Sequence, residues 1–223
     1  MLNTGRCGSL TLATACQAAI LNYTSGHESR AHIFDGTRLD YPDQHIEVDN
    51  RLSYFLGGLA AKYPEDVFYV HLTRNPDDVA RSFLARWDRA ANPPALAAIR
   101  AGIRRRAARK RRCRYWRKSN LISAFGNDII LGGPDWDEDM DRLMACRLYV
   151  ESTTANIRHF LRDKPHMEMQ IDSAAEQFEE FCQRIGADAD MTVARDELAS
   201  VRNADVHSAA RGRAKLAVGS LLP

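Results

Sequence analysis

The chain has 223 residues, of which 45% are hydrophobic, and a formal net charge of +2. Those numbers suit one globular domain with a sizeable core and leave little room for two. No apolar run approaches the roughly 18–20 residues that span a bilayer, and Arg6 sits in a Gly-rich turn rather than ahead of a long apolar stretch, so no secretory signal is expected. The expectation is a cytoplasmic protein without a transmembrane segment. Its five cysteines (Cys7, Cys16, Cys113, Cys146 and Cys182) form no CxxC pair, which points away from a zinc site or a disulfide framework.

In chain order, Met1–Thr4 reads as the end of a strand, and residues 5–9 as a tight turn into a helix over Leu10–Tyr23. A short strand is expected at His45–Asp49, and a helix from Leu52 to Lys62. Val67–Thr73, rich in β-branched and aromatic residues, is the clearest strand. Pro76 is suited to the first turn of a helix that continues through Asp77–Trp87. After Pro93-Pro94 a basic helix is predicted over 95–118, a loop over 126–137, and a long amphipathic helix over Glu138–Leu161. A strand at Met167–Ile171 and a helix at Ala174–Ile185 follow, the latter with Phe178, Phe181 and Ile185 on one face. Beyond Gly186 the pattern weakens. Strands alternating with helices predict an α/β protein: a single domain over 1–223, with a central, mostly parallel sheet flanked by helices. Ligands of such sheets bind beyond the carboxyl ends of the strands.

Two motifs fall at that place. Thr4-Gly5-Arg6-Cys7-Gly8-Ser9-Leu10-Thr11 leads from the first strand into the first helix. Glycine tolerates backbone angles that other residues resist and lets an anion approach the amides. The unpaired N–H groups and dipole of a helix start favour negative charge, and Arg6, Ser9 and Thr11 add donors. The alternative is a plain strand-to-helix turn. It is not a Walker A loop, because the lysine of GxxxxGK[ST] is absent and the glycine spacing differs. The second motif is Arg74-Asn75-Pro76, at the tip of the Val67–Thr73 strand, followed on the next helix by Ser82. One guanidinium and one hydroxyl there suit a single phosphate.

The pair resembles the motifs of sulfotransferases that use 3'-phosphoadenosine-5'-phosphosulfate (PAPS). In that family a 5'-phosphosulfate loop follows the first strand, and Arg-x-Pro with a helical Ser holds the 3'-phosphate. The likeness covers about residues 1–90 and is vaguer over 138–186. It implies a P-loop NTPase-like sulfotransferase fold and PAPS as co-substrate, with 3',5'-adenosine bisphosphate as product and no metal required. It also implies a small-molecule, lipid or carbohydrate hydroxyl as acceptor. Arg6 matches the basic residue that bridges donor and acceptor; Thr4, Gly5, Cys7, Gly8, Ser9, Leu10 and Thr11 fall on the 5' loop, and Arg74 and Ser82 on the 3'-phosphate ligands. Leu10 stands where a hydroxyl is frequent, with Thr11 as the compensating residue. The C-terminal RKGxxGDWK segment of cytosolic members is not recognisable; His207–Lys215 is a candidate for supplying basic contacts in its place.

The residues after the first helix place the catalytic base in this family, which makes Glu28 the first candidate and His27 the second, with a solvated polar loop as the alternative. His45, Glu47 and Asp49 are weaker candidates, and His71 reads as a core histidine. Trp136, Tyr149 and Asn156 are candidates for lining a pocket, with core packing preferred for each. Residues 100–118 hold eleven Lys or Arg and no acid, leaving 20 of the 31 basic residues against 29 acidic ones elsewhere. Such a segment serves as a charged solvent face, as part of an acidic-acceptor site, or as a nucleic-acid or membrane contact. Nucleic acid is the less favoured partner. Two rival readings remain: a kinase- or NTPase-like nucleotide-binding protein, and a non-catalytic anion- or nucleic-acid-binding module built on that segment.

Overall fold

The computed structural model describes residues 1–33, 35–65, 67–91 and 142–200. Helix α1 (Ser9–Ala19) is built from small and apolar residues and buries Leu12, Ala13, Ala15, Cys16 and Ala19. It ends earlier than expected because Ile20 turns extended and pairs with Ala189. A strand the sequence did not announce follows: β1 (Thr24–His27) runs parallel to β2 (His45–Val48), with Thr24 opposite His45 and His27 opposite Val48.

After β2, a 3-10 turn over Asn50–Tyr54 precedes α2 (Leu56–Lys62). The buried Asp49 carboxylate caps that turn by accepting from the Arg51 amide. Strand β3 (Tyr69–Thr73) has four consecutive buried residues, as expected of a strand covered on both faces. Helix α3 (Pro76–Ala91) starts at the proline, and Asn75 Oδ1 accepts from the amides of Asp77 and Asp78. Helix α4 (Arg142–Leu161) leads to β4 (His166–Gln170), where only Met167 and Met169 are buried, the alternation of an edge strand. Helix α5 (Ala174–Ile185) packs Phe178 and Phe181 inward and stops at Gly186, whose φ of 67° is the left-handed C-cap geometry glycine favours. A final helix, α6 (Met191–Ala199), is capped by Asp190.

Strands β3 and β4 are parallel, with Tyr69 opposite His166 and Thr73 opposite Gln170. The amino-terminal segment joins the two strand pairs. Leu2 bridges His71 in parallel, with its amide on Val70 O (2.8 Å), while the Met1 amino group donates to Glu47 O (2.6 Å). The described residues thus form a small α/β domain with short parallel sheets and helices packed against them. The larger apolar cluster draws on β2, β3, β4 and on helices α1, α3, α4, α5 and α6; a smaller one gathers Leu2, Leu52, Leu59, Tyr69, Ile157 and Leu161.

His71 is indeed a core residue, 2% exposed, and burial lowers its pKa to about 4. Asn156, for which packing was preferred, is exposed, because its position on α4 faces away from the core. The basic segment 95–118, the loop 126–137, Cys113, Trp136 and His207–Lys215 lie outside the described residues. Among the described residues no helix is long and apolar enough to cross a membrane.

Candidate anion site

The first motif forms a turn with three left-handed residues: Gly5 (φ 82°), Arg6 (φ 59°) and Gly8 (φ 82°). Gly8 is required twice over. Its φ suits glycine, and a Cβ there would lie 2.7 Å from Ile171 Cδ1 and closer still to Cγ1. Gly5 is also enclosed, since a Cβ would meet Asn50 Nδ2 at 3.2 Å and the Phe83 ring at 3.3 Å. The turn is therefore surrounded by the carboxyl ends of β1 to β4: His27 from β1, Asn50 after β2, Arg74 after β3 and Ile171 after β4.

Both motifs meet here. Arg6 Nε donates to Ser82 Oγ at 2.9 Å, across 76 residues of sequence. Arg74 Nη1 donates to the Arg6 carbonyl at 3.4 Å. Ser9 Oγ lies 3.1 Å from His27 Nε2. Helix α1 has no side-chain cap and no acidic residue in its first turn, so its positive end is not neutralised from within the helix. Two guanidinium groups, two hydroxyls and an imidazole are thus collected at one helix start.

The other motif residues take supporting roles. Thr4 Oγ1 donates to Gly5 O at 3.0 Å. Cys7 is 1% exposed, and burial pushes its thiol up to about 12, so it stays protonated and donates to Asn3 Oδ1. Thr11 is buried along α1, and Leu10 is half-buried. Glu28, the first base candidate, is paired with Arg51 at 2.5 Å, in a left-handed residue (φ 51°) just beyond the strand. Of the two base candidates, His27 is the one joined to the anion turn.

The weaker candidates are committed elsewhere. Glu47 accepts from the Ser29 amide and hydroxyl and lies 3.1 Å from His45 Nε2. Burial opposes its ionisation, but the bonds from His45 and Ser29 outweigh burial and hold the carboxyl below the usual range. Asp49 is fully buried and faces Arg38 at 2.5 Å; desolvation raises its pKa despite that partner. Among the described residues no group of three or more His, Cys, Asp or Glu could hold a metal ion.

Two site residues, Asn3 and Asn50, escaped the sequence reading. Asn3 Oδ1 accepts from the Gly5 amide at 2.9 Å, an Asx-type turn that the Asn-Thr-Gly run could have suggested. Asn50 covers Gly5 and leaves no local sequence signal; Tyr149, the pocket candidate for which core packing was preferred, is buried and its Oη also donates to Thr4 O at 2.9 Å. No family model, curated protein or solved structure matches the chain.

Proposed function

We propose that this protein is a sulfotransferase of the P-loop-like type that moves the sulfuryl group of PAPS to a hydroxyl on a carbohydrate, lipid or other small molecule. The observation that carries this reading is the meeting of Arg6, Ser82 and Arg74. Residues from two separate motifs come within hydrogen-bond distance beside an uncapped helix start. One phosphate at the turn and a second on Arg74 and Ser82 account for both motifs, and a donor with phosphates at both its 5' and 3' positions supplies both.

Transfer is in-line. The acceptor oxygen bonds to sulfur as the bond from sulfur to the phosphate oxygen breaks. Arg6 and the helix start stabilise the negative charge gathering on the leaving phosphate. The acceptor's proton passes to His27 Nε2, the basic atom adjoining the turn. Glu28 is instead engaged in an ion pair with Arg51.

The test compares 3',5'-adenosine bisphosphate, 5'-AMP and ATP by calorimetry, followed by transfer of labelled sulfuryl from PAPS to a panel of hydroxyl acceptors. The bisphosphate should bind tightest, by at least tenfold over 5'-AMP. Equal binding of 5'-AMP and the bisphosphate removes the reading. Preference for ATP favours a kinase- or NTPase-like protein. Salt-sensitive RNA or DNA binding with no response to any of these nucleotides favours the binding module.

A further inference from the structure

We propose that Tyr149, supported by Tyr54, is a positioning residue that sets the direction of the anion turn's amides from helix α4. The inference rests on the reading of residues 4–9 as an anion site. It starts from the peptide between Thr4 and Gly5, which is gripped on both edges. Tyr149 Oη donates to its carbonyl at 2.9 Å, and its N–H donates to Asn3 Oδ1 at 2.9 Å. A trans peptide is planar, with C=O and N–H pointing opposite ways, so holding both atoms fixes the plane.

The next two carbonyls are held as well. Gly5 O accepts from Thr4 Oγ1 at 3.0 Å, and Arg6 O from Arg74 Nη1 at 3.4 Å. Each fixed carbonyl turns the N–H of the following residue the other way. A turn with two glycines would otherwise sample many orientations, and a flexible turn loses entropy on closing around a ligand. Tyr149 controls the first plane in the series, and the later ones build on it.

Its surroundings make it a dependable donor. Tyr149 is 7% exposed, and its ring meets Phe83 edge-on, with centroids 5.1 Å apart and planes at 83°. Phe83 is the ring that encloses Gly5. Tyr54 Oη donates to Tyr149 Oη at 3.4 Å, which leaves the Tyr149 proton for Thr4. Burial holds the phenol well above its ordinary range, so the hydroxyl keeps that proton.

The experiment measures 5'-AMP and 3'-AMP affinity by calorimetry for the wild type, Tyr149→Phe and Tyr54→Phe. Phenylalanine keeps the ring and removes only the hydroxyl. Tyr149→Phe should weaken 5'-AMP about tenfold, the scale of one buried hydrogen bond, and leave 3'-AMP within about twofold. Tyr54→Phe should weaken 5'-AMP about twofold to threefold, again with 3'-AMP unaffected. A merely structural hydroxyl would lower melting temperature and reduce both affinities together, and that result overturns the proposal. Unchanged 5'-AMP binding in folded Tyr149→Phe also overturns it. If Tyr149→Phe does not fold, Tyr54→Phe decides by the same selectivity. A wild type that binds 5'-AMP without preferring the bisphosphate defeats the sulfotransferase reading and leaves this one standing; a wild type that binds neither mononucleotide defeats both.

Discussion

Gly8→Ala tests whether the anion turn is specified by backbone geometry and packing together. Alanine at φ 82° has a left-handed conformation to maintain, which costs about 1–2 kcal/mol. The new methyl also meets Ile171 Cδ1 at 2.7 Å, and overpacking of that kind costs about 1–3 kcal/mol. The total is roughly 2–5 kcal/mol, which lowers the melting temperature by roughly 5–15 °C in a chain of this size. Truncating Ile171 to alanine removes both clashing atoms and leaves its Cβ at 3.4 Å, an ordinary contact. The two contributions therefore separate in a double-mutant cycle of wild type, Gly8→Ala, Ile171→Ala and the pair, followed by thermal and urea unfolding. In the Ile171→Ala background, Gly8→Ala should cost only the left-handed share, a coupling of about 1–3 kcal/mol. An equal cost in both backgrounds refutes the packing argument. A cost below about 0.5 kcal/mol in the wild-type background refutes the backbone argument as well.

Three further outcomes follow from the same geometry. His27→Ala should reduce sulfuryl transfer by about 10²–10⁴-fold, the usual contribution of a positioned base, while Glu28→Gln should retain most turnover; the reverse order in steady-state rates returns the role to Glu28. His71, with its pKa lowered to about 4 by burial, is neutral in the fold and protonates more readily when unfolded. Its contribution to stability is complete above about pH 6.5 and is lost as pH falls toward 4, by about 3 kcal/mol in all. Urea unfolding between pH 4 and 7 should show a flatter pH dependence for His71→Gln, and an unchanged slope counts against the linkage. Asp49→Asn leaves Arg38, 4% exposed, without its carboxylate, so it should destabilise by about 3–5 kcal/mol in the same assay, far more than a surface pair.

What could be read from the sequence was whatever a short window encodes. The β-branched and aromatic run before Thr73 marks β3, Pro76 marks the start of α3, and Phe178, Phe181 and Gly186 fix the face and end of α5. Strand β1 was missed because Thr-Ser-Gly-His has no buried apolar alternation; it is a strand because β2 supplies its hydrogen bonds. Helix α6 was missed although Asp190 was available as a cap, since its nine residues bury only Ala194. The early end of α1 depends on Ala189, which is distant in sequence.

The site divides in the same way. Its glycines and its basic and hydroxyl residues could be named from two local patterns, because those residue types are what an anion requires wherever they sit. Their pairings could not, because each depends on which strand ends become neighbours. Glu28 illustrates the difference: its position after the first helix made it the first base candidate, but the parallel pairing of β1 with β2 delivers it to Arg51, from the turn that follows β2. The same pairing carries His27, one residue earlier, to Ser9. A one-residue difference in chain position thus separates a side chain that reaches the anion turn from one that is neutralised beside it. The choice is made by strand register, which the four residues of β1 do not encode by themselves.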